Sequence, residues 1–455
     1  MTTLKIINGK IPNFDEMKLE EKDVLIKDGK IEKIGKIEEE ADQVIDAKGK
    51  VVSPGFIDIH MHEEVIENVE DPYFTSYYEL KMGTTTCVAG NCGNNRQSVK
   101  EFKDYIDKNG APVNYLSFIG HNYLRNQVGI DDRYRAATDE EIDKMKELIK
   151  ETLPLGILGI SYGIEYSPGI DFKELVEITK ALDSKDYLLS AHYRSDGEKS
   201  VESIEEMVKI STESGVPMQI AHIGSCSAFG FMKETLDMIK EYQDKGADVM
   251  ADCYPYDAFA TFIGSAVFDD GCFERWDKTY SDILLTEEPM KNVRCDKETF
   301  EKARKEYPNM IAAAFVMREE EVIEALKAPF VFVGSDSLFR KDMGHPRGAG
   351  SFPRVLGRYV REMGELPLID ALWKMTLGPA ERLSLSHKGQ IKEGMDADIT
   401  IFDPDTVEDG ATFAEPTLPP VGISHVILGG KVAVENNEVK EGRLGRFIKF
   451  KKGEM

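Results

Sequence analysis

His60 and His62 stand two residues apart in IDIHMH, and residues two apart on an extended strand point to the same side, so both imidazoles can reach one ion. Further along the chain Cys92 sits in Gly-Asn-Cys-Gly, and His121, His192, His222 and Asp336 follow short β-rich runs in the same way. Of the eight histidines in the chain, six (60, 62, 121, 192, 222 and 345) lie at or just beyond such runs. Any one of them alone reads as a hydrogen-bonded structural histidine. Together they change the reading, because soft thiolate and imidazole converging with a carboxylate is the donor set that a borderline-soft ion such as zinc selects. Cys92 alone would be a small buried hydrophobe, and Cys87, Cys226 and Cys253 are read that way, as core or incidental.

These polar residues need a frame that brings strand ends together. From about residue 55 to 387, β-rich runs alternate with amphipathic stretches, the signature of βα units around a parallel sheet. The runs are VSPGFIDIH, TTTCVAGNC, VNYLSFIGH, ILGISYGIE, YLLSAHYRS, PMQIAHIGS, ADVMADCYP and FVFVGSDS. Eight strands close an α/β TIM (β/α)8 barrel, whose active site lies at the strand C-termini. Helices are expected at 139–153 and 200–215, and residues 270–310 interrupt the rhythm as a candidate lid. Residues 1–54 and 388–455, the latter including RFIKFKK at 446–452, carry short alternating runs separated by Asn-Gly, Asp-Gly and Lys-Gly turns. They predict a small β-sandwich domain built from both chain ends.

Composition narrows the function classes. With 455 residues and 41% hydrophobic residues the chain can bury a large core, and a net charge of −25 disfavours nucleic acid or an anionic membrane as partner. The start, MTTLKIINGK, lacks an apolar targeting region, and no stretch reaches the roughly 20 apolar residues that span a bilayer. Six scattered cysteines argue against a disulfide framework, so a cytoplasmic location is expected. The sequence leaves open whether the chain forms a homo-oligomer.

PGFIDIHMHEE, VAGNCG, SYGIEYSPG, AHYRSDG, DCYPYDAFAT, GSDSLFRKDMGHPRGAGSFPRVLGRYVRE and EGMDADITIFDPDTV occur in one order along the chain. In this they resemble the amidohydrolase superfamily, and within it the N-acyl-D-amino-acid deacylase (D-aminoacylase) group. The resemblance implies a tightly held zinc ion on Cys92, His192 and His222, with His60, His62 and Asp336 forming a second, weaker position. Many superfamily members bridge two metals with a carbamylated lysine on the fourth strand. ILGISYGIE has no lysine, and under the resemblance Cys92 is expected to take that place.

The implied activity is hydrolysis of the amide bond of an N-acyl-D-amino acid, a small-molecule substrate. Zinc would make water acidic and polarise the carbonyl, while Asp336 would act first as base and then as acid. Arg347, eleven residues past Asp336, resembles the family arginine that holds a substrate carboxylate. Tyr254, Tyr256 and Tyr166 are candidate pocket walls, and His121 with Asn122 is either a substrate contact or a structural pair. Two departures bear on substrate: Gly224 stands where the family usually has lysine, and Ala260 where it has serine. Both weaken the expected anion site and keep open a cyclic-amide hydrolase of hydantoin or lactam type. A non-catalytic metal-binding barrel is the third alternative, and retention of Asp336 argues against it.

Overall fold

The computed structural model describes residues 3–66, 71–340 and 342–450. Eight short parallel strands lie at its centre: β1 (Phe56–Asp58), β2 (Thr84–Ala89), β3 (Asn114–Ser117, resumed at Ile119–Gly120), β4 (Gly159–Gly163), β5 (Leu188–His192), β6 (Met218–Ile220), β7 (Val249–Cys253) and β8 (Val331–Val333). All of their residues but one are buried, as expected of strands covered on both faces. Each pairs in parallel with its sequence neighbour, β3 passing from one arc to the next at Phe118. Beyond the ends of β8 and β1, a parallel bridge between Met61 and Ser337 and a 2.8 Å hydrogen bond from the Asp336 N–H to the His60 carbonyl join the two edges. The fold is that of a TIM barrel.

A helix follows each strand: α1 (Thr75–Lys81), α2 (Val99–Asn109), α3 (Asp139–Thr152), α4 (Phe172–Thr179), α5 (Ser200–Ser214), α6 (Met232–Asp244), α7 (Glu319–Lys327) and α8 (Leu368–Met375). Their starts are written in the sequence. Ser98 with Glu101, and Thr138 with Glu141, form reciprocal capping boxes at α2 and α3. α3 buries Ile142, Met145 and Ile149, spaced three and four apart, so one apolar stripe faces the strands and the rest faces water. The helices expected at 139–153 and 200–215 are α3 and α5.

Both chain ends feed one nine-stranded sheet, in which Val51–Pro54 runs antiparallel to Ile399–Phe402. Its first hairpins turn where the sequence places them: at Asp28-Gly29 both residues have positive φ (51° and 80°), as a tight two-residue hairpin requires. The end of the chain departs from expectation. Phe447 forms a parallel bridge with Tyr115 and Gly445 an antiparallel one with Ala111, so residues 445–450 run along the barrel instead of joining the terminal sheet. Phe447 and Phe450 pack against the barrel core, which gives that apolar run a closer partner. Positions 451 and 452 of the same run lie outside the described residues.

Between β7 and α7 a four-stranded antiparallel sheet (Phe259–Phe262, Ile283–Leu285, Val293–Arg294 and Ile311–Ala314) forms an insertion larger than the expected 270–310. Phe268, Phe273, Trp276 and Phe300 pack edge-to-face beneath it. Among the described residues, no helix is long and apolar enough to cross a membrane.

Candidate metal centre and substrate cavity

The strand ends converge as the polar residues require. His60 Nε2 lies 3.3 Å from Cys92 Sγ, and His222 Nε2 lies 3.2 Å from it. Asp336 Oδ1 is 3.0 Å from His62 Nε2 and 3.6 Å from His60 Nε2. One donor atom each from His60, Cys92, His222 and Asp336 falls within 4.8 Å of the others, and all four residues are buried. Two tetrahedral zinc ligands, one sulfur and one nitrogen, stand about 3.6 Å apart given the usual bond lengths. The set therefore fits a zinc-sized ion.

Electrostatics supports the same conclusion. Burial opposes ionisation of Cys92, but the charges of His222 and His60 and hydrogen bonds with His192 and His222 outweigh it and hold the thiol well below its usual range. For Asp336, burial is likewise outweighed, here by the Arg347 guanidinium and the hydrogen bond from His62. A thiolate and an ionised carboxylate are the protonation states in which these groups ligate a metal ion.

Cys92 (φ 52°), His222 (φ 31°) and Asp336 (φ 50°) all adopt left-handed backbone conformations that side chains other than glycine seldom take. Each follows a strand end, where the chain must bend sharply to aim its side chain over the barrel mouth. Neighbouring groups hold these bends. Glu63 Oε2 accepts the Gly90 N–H at 3.0 Å and Oε1 the Arg96 N–H at 2.8 Å, gripping the Cys92 loop from both sides. Gly93 (φ 74°) lies in that loop, and a side chain there would come within 2.7 Å of the Gly163 nitrogen. Asp58 Oδ1 accepts the N–H of both His60 and Ser335 at 3.0 Å, tying together the β1 and β8 ends. Asp252 Oδ1 accepts the His222 N–H at 2.8 Å and lies 3.2 Å from His60 Nδ1, which orients that ring.

His192 stands beside the group of four. Its ring centroid is 4.6 Å from that of His222, yet its Nε2 lies 2.7 Å from Glu165 Oε2 and 4.0 Å from Cys226 Sγ. Neither Glu165 nor Cys226 was expected here. Glu165 follows the end of β4, so the rule applied to the other strand ends could have found it; Cys226 is three residues into the helical turn after His222 and has no such signal.

A cavity of about 350 Å³ opens over the centre, lined by His62, Cys92, Tyr166, Asn122, Asp336 and Arg347 among others. Its roof is the inserted sheet, through Ala260, Thr261 and Phe262. Tyr254 is buried beneath the Arg347 guanidinium, 4.7 Å from ring centre to carbon, and borders a narrower recess beside His192 and His222. Tyr256 is a correction: its hydroxyl donates to Asp409 Oδ2 at 3.2 Å, its ring packs on His345, and it lines neither space. His121 is also structural. It turns into the helical segment His121–Gln127, where Nε2 lies 3.0 Å from Glu174 Oε1, whereas Asn122 faces the cavity and donates to the Gly163 carbonyl.

Residues 51–433 match the model of the amidohydrolase family. The chain belongs to the amidohydrolase family. Within it, the chain is 33% identical to a D-aminoacylase of Alcaligenes xylosoxydans xylosoxydans over 94% of this chain and 93% of that one. It is 30% identical to the N-acyl-D-glutamate deacylase of the same organism over 90% and 88% of the two chains. A crystal structure of N-acyl-D-glutamate deacylase from Bordetella bronchiseptica, complexed with zinc and a phosphonate inhibitor, superimposes with a TM-score of 0.88 at 29% identity, covering 98% of this chain and 99% of that one.

A β-carbon at Gly224 would meet Cys253 Sγ at 2.9 Å and Met317 Cε at 3.1 Å. A side chain at this position would require Cys253 and Met317 to shift, and Gly224 by itself says little about whether the substrate is cyclic.

Proposed function

We propose that this amidohydrolase is a zinc-dependent deacylase that hydrolyses the amide bond of N-acyl-D-amino acids, giving a carboxylate and a free amino acid. The observation that carries the reading is the placement of Asp336, a buried carboxylate at the floor of a substrate-sized cavity, against both the Cys/His group and Arg347. Cys92, His192 and His222 would hold the zinc ion, and His60, His62 and Asp336 a second position. When bound, zinc polarises an amide carbonyl and lowers the pKa of water towards about 7.

The remaining work falls to side chains. Asp336, kept ionised by Arg347, takes a proton from the attacking water and passes it to the departing amide nitrogen. Arg347 lines the cavity and has one terminal nitrogen, Nη1, without a hydrogen-bond partner, which suits it to hold the substrate carboxylate. Tyr166 lines the cavity below the roof formed by the inserted sheet. The cytosol is the proposed compartment, supported by six cysteines that are all free.

The test is release of amine from matched N-acetyl-D- and N-acetyl-L-amino acids by the zinc-loaded protein. Turnover confined to, or strongly favouring, the D-forms supports the proposal; no turnover of any D-form ends it.

A further inference from the structure

Arg96 lies four residues past Cys92, on the loop gripped by Glu63, and its side chain lines the substrate cavity. Among the described residues its guanidinium has no hydrogen-bond or ion-pair partner; its close contact is the Phe262 ring, 5.8 Å away. The other arginines around this space are engaged. Arg125 is paired with Glu174 at 2.5 Å, Arg347 with Asp336 at 2.8 Å, and Arg340 reaches Glu287 at 3.6 Å, while Arg133 donates to the Gly264 carbonyl. Glu63, the acid nearest in sequence, turns its two oxygens to the backbone N–H groups of Gly90 and Arg96 and makes no ion pair with the Arg96 guanidinium.

An unneutralised guanidinium is out of keeping with a chain that has 82 acidic side chains against 57 lysines and arginines. It is half-buried in the cavity wall, and a planar fork with open donors matches a carboxylate. Arg347 enters the cavity from the segment after β8 and Arg96 from the loop after β2, and both line it.

We propose that Arg96 is a second anion anchor, and that the preferred substrates are N-acyl amino acids carrying another carboxylate besides the α-carboxylate. This rests on the deacylase reading above. The second carboxylate could come from the amino-acid side chain or from the acyl group, and the shared chemistry is a dianionic substrate.

The experiment compares kcat/KM of the zinc-loaded wild type for N-acetyl-D-glutamate against N-acetyl-D-glutamine, and for N-succinyl-D-leucine against N-butyryl-D-leucine. The charged member should win in one pair, which identifies the source, and Arg96→Gln should cut that ratio about 10- to 100-fold. Arg96→Lys should restore part of it, and zinc content with circular dichroism confirms that each variant is folded. Equal use of both members of both pairs, or a ratio unmoved by Arg96→Gln, overturns the proposal while leaving the deacylase reading in place. Failure of all four compounds together with N-acetyl-D-leucine would instead strike the deacylase reading itself.

Discussion

Arg347 grips Asp336 twice: Nη2 lies 2.8 Å from the Asp336 carboxylate Oδ2, and Nε donates to the Asp336 backbone carbonyl at 2.7 Å. With Nη2 also donating to the Ala260 carbonyl at 3.2 Å, this arginine joins the acid–base residue to the roof of the cavity. In the proposed reaction its role is double, positioning Asp336 and offering Nη1 to the substrate. A lysine has one point of charge and no planar fork. Arg347→Lys should lower kcat and raise KM together, with kcat/KM falling about 100-fold or more; a change in KM alone would show that Asp336 is held without it.

Asp336→Asn preserves shape and removes the proton acceptor. Its kcat should fall about 100- to 10,000-fold, the range of general acid–base catalysis. Zinc at the tighter position should remain, as measured by metal analysis, because Cys92, His192 and His222 are untouched. Activity within a few-fold of wild type would remove Asp336 from the mechanism.

Removing the metal should abolish turnover, and zinc should restore it. Cys92→Ala takes away the donor shared by His60 and His222, so the purified variant should contain much less zinc than wild type. The cobalt-substituted wild type should show a thiolate charge-transfer absorption that the variant lacks.

Glu63 touches no donor atom of the centre, yet it holds the Cys92 loop at both ends. Glu63→Gln turns one acceptor into a donor facing a backbone N–H. The expected cost is about 1–3 kcal/mol of stability, seen as a lower Tm, with zinc affinity down about 10- to 100-fold. Unchanged zinc affinity would mean that the loop holds its shape unaided.

Acid stability should depend on Glu174. Burial raises the pKa of this carboxyl, but His121 and Arg125 outweigh it and bring it down to about 2 from 4.5. A depressed carboxylate pKa contributes stability that is complete above the ordinary value and is lost as pH falls from about 4.5 towards 2. Glu174→Gln should thus lower Tm at pH 7 and flatten the loss of Tm over that window; a variant whose Tm follows the wild-type curve in parallel would refute the assignment.

Much of this molecule is legible along the chain. The eight strands, the helices at 139–152 and 200–214 and the hairpin at Asp28-Gly29 follow from periodicity, capping residues and turn chemistry, which are local. The metal centre was legible for a related reason: a polar residue ending an apolar strand in a parallel barrel has one place to go. Arg96 gave no signal, because being unpaired is a property of its surroundings. Tyr256 misled for the complementary reason, since its partner Asp409 is 153 residues away.

By itself, then, the sequence determined which donor types stand at the strand ends, and with them the family and the kind of ion. Tertiary structure alone decided how those donors are shared out. It placed Glu165 and Cys226 against His192, turned Gly224 into the core, spent most of Arg347 on Asp336 and left Arg96 facing the cavity without a counter-charge. The reason is physical: strand periodicity fixes the face on which a side chain emerges, but its partner and its burial depend on loops that meet only when the barrel closes.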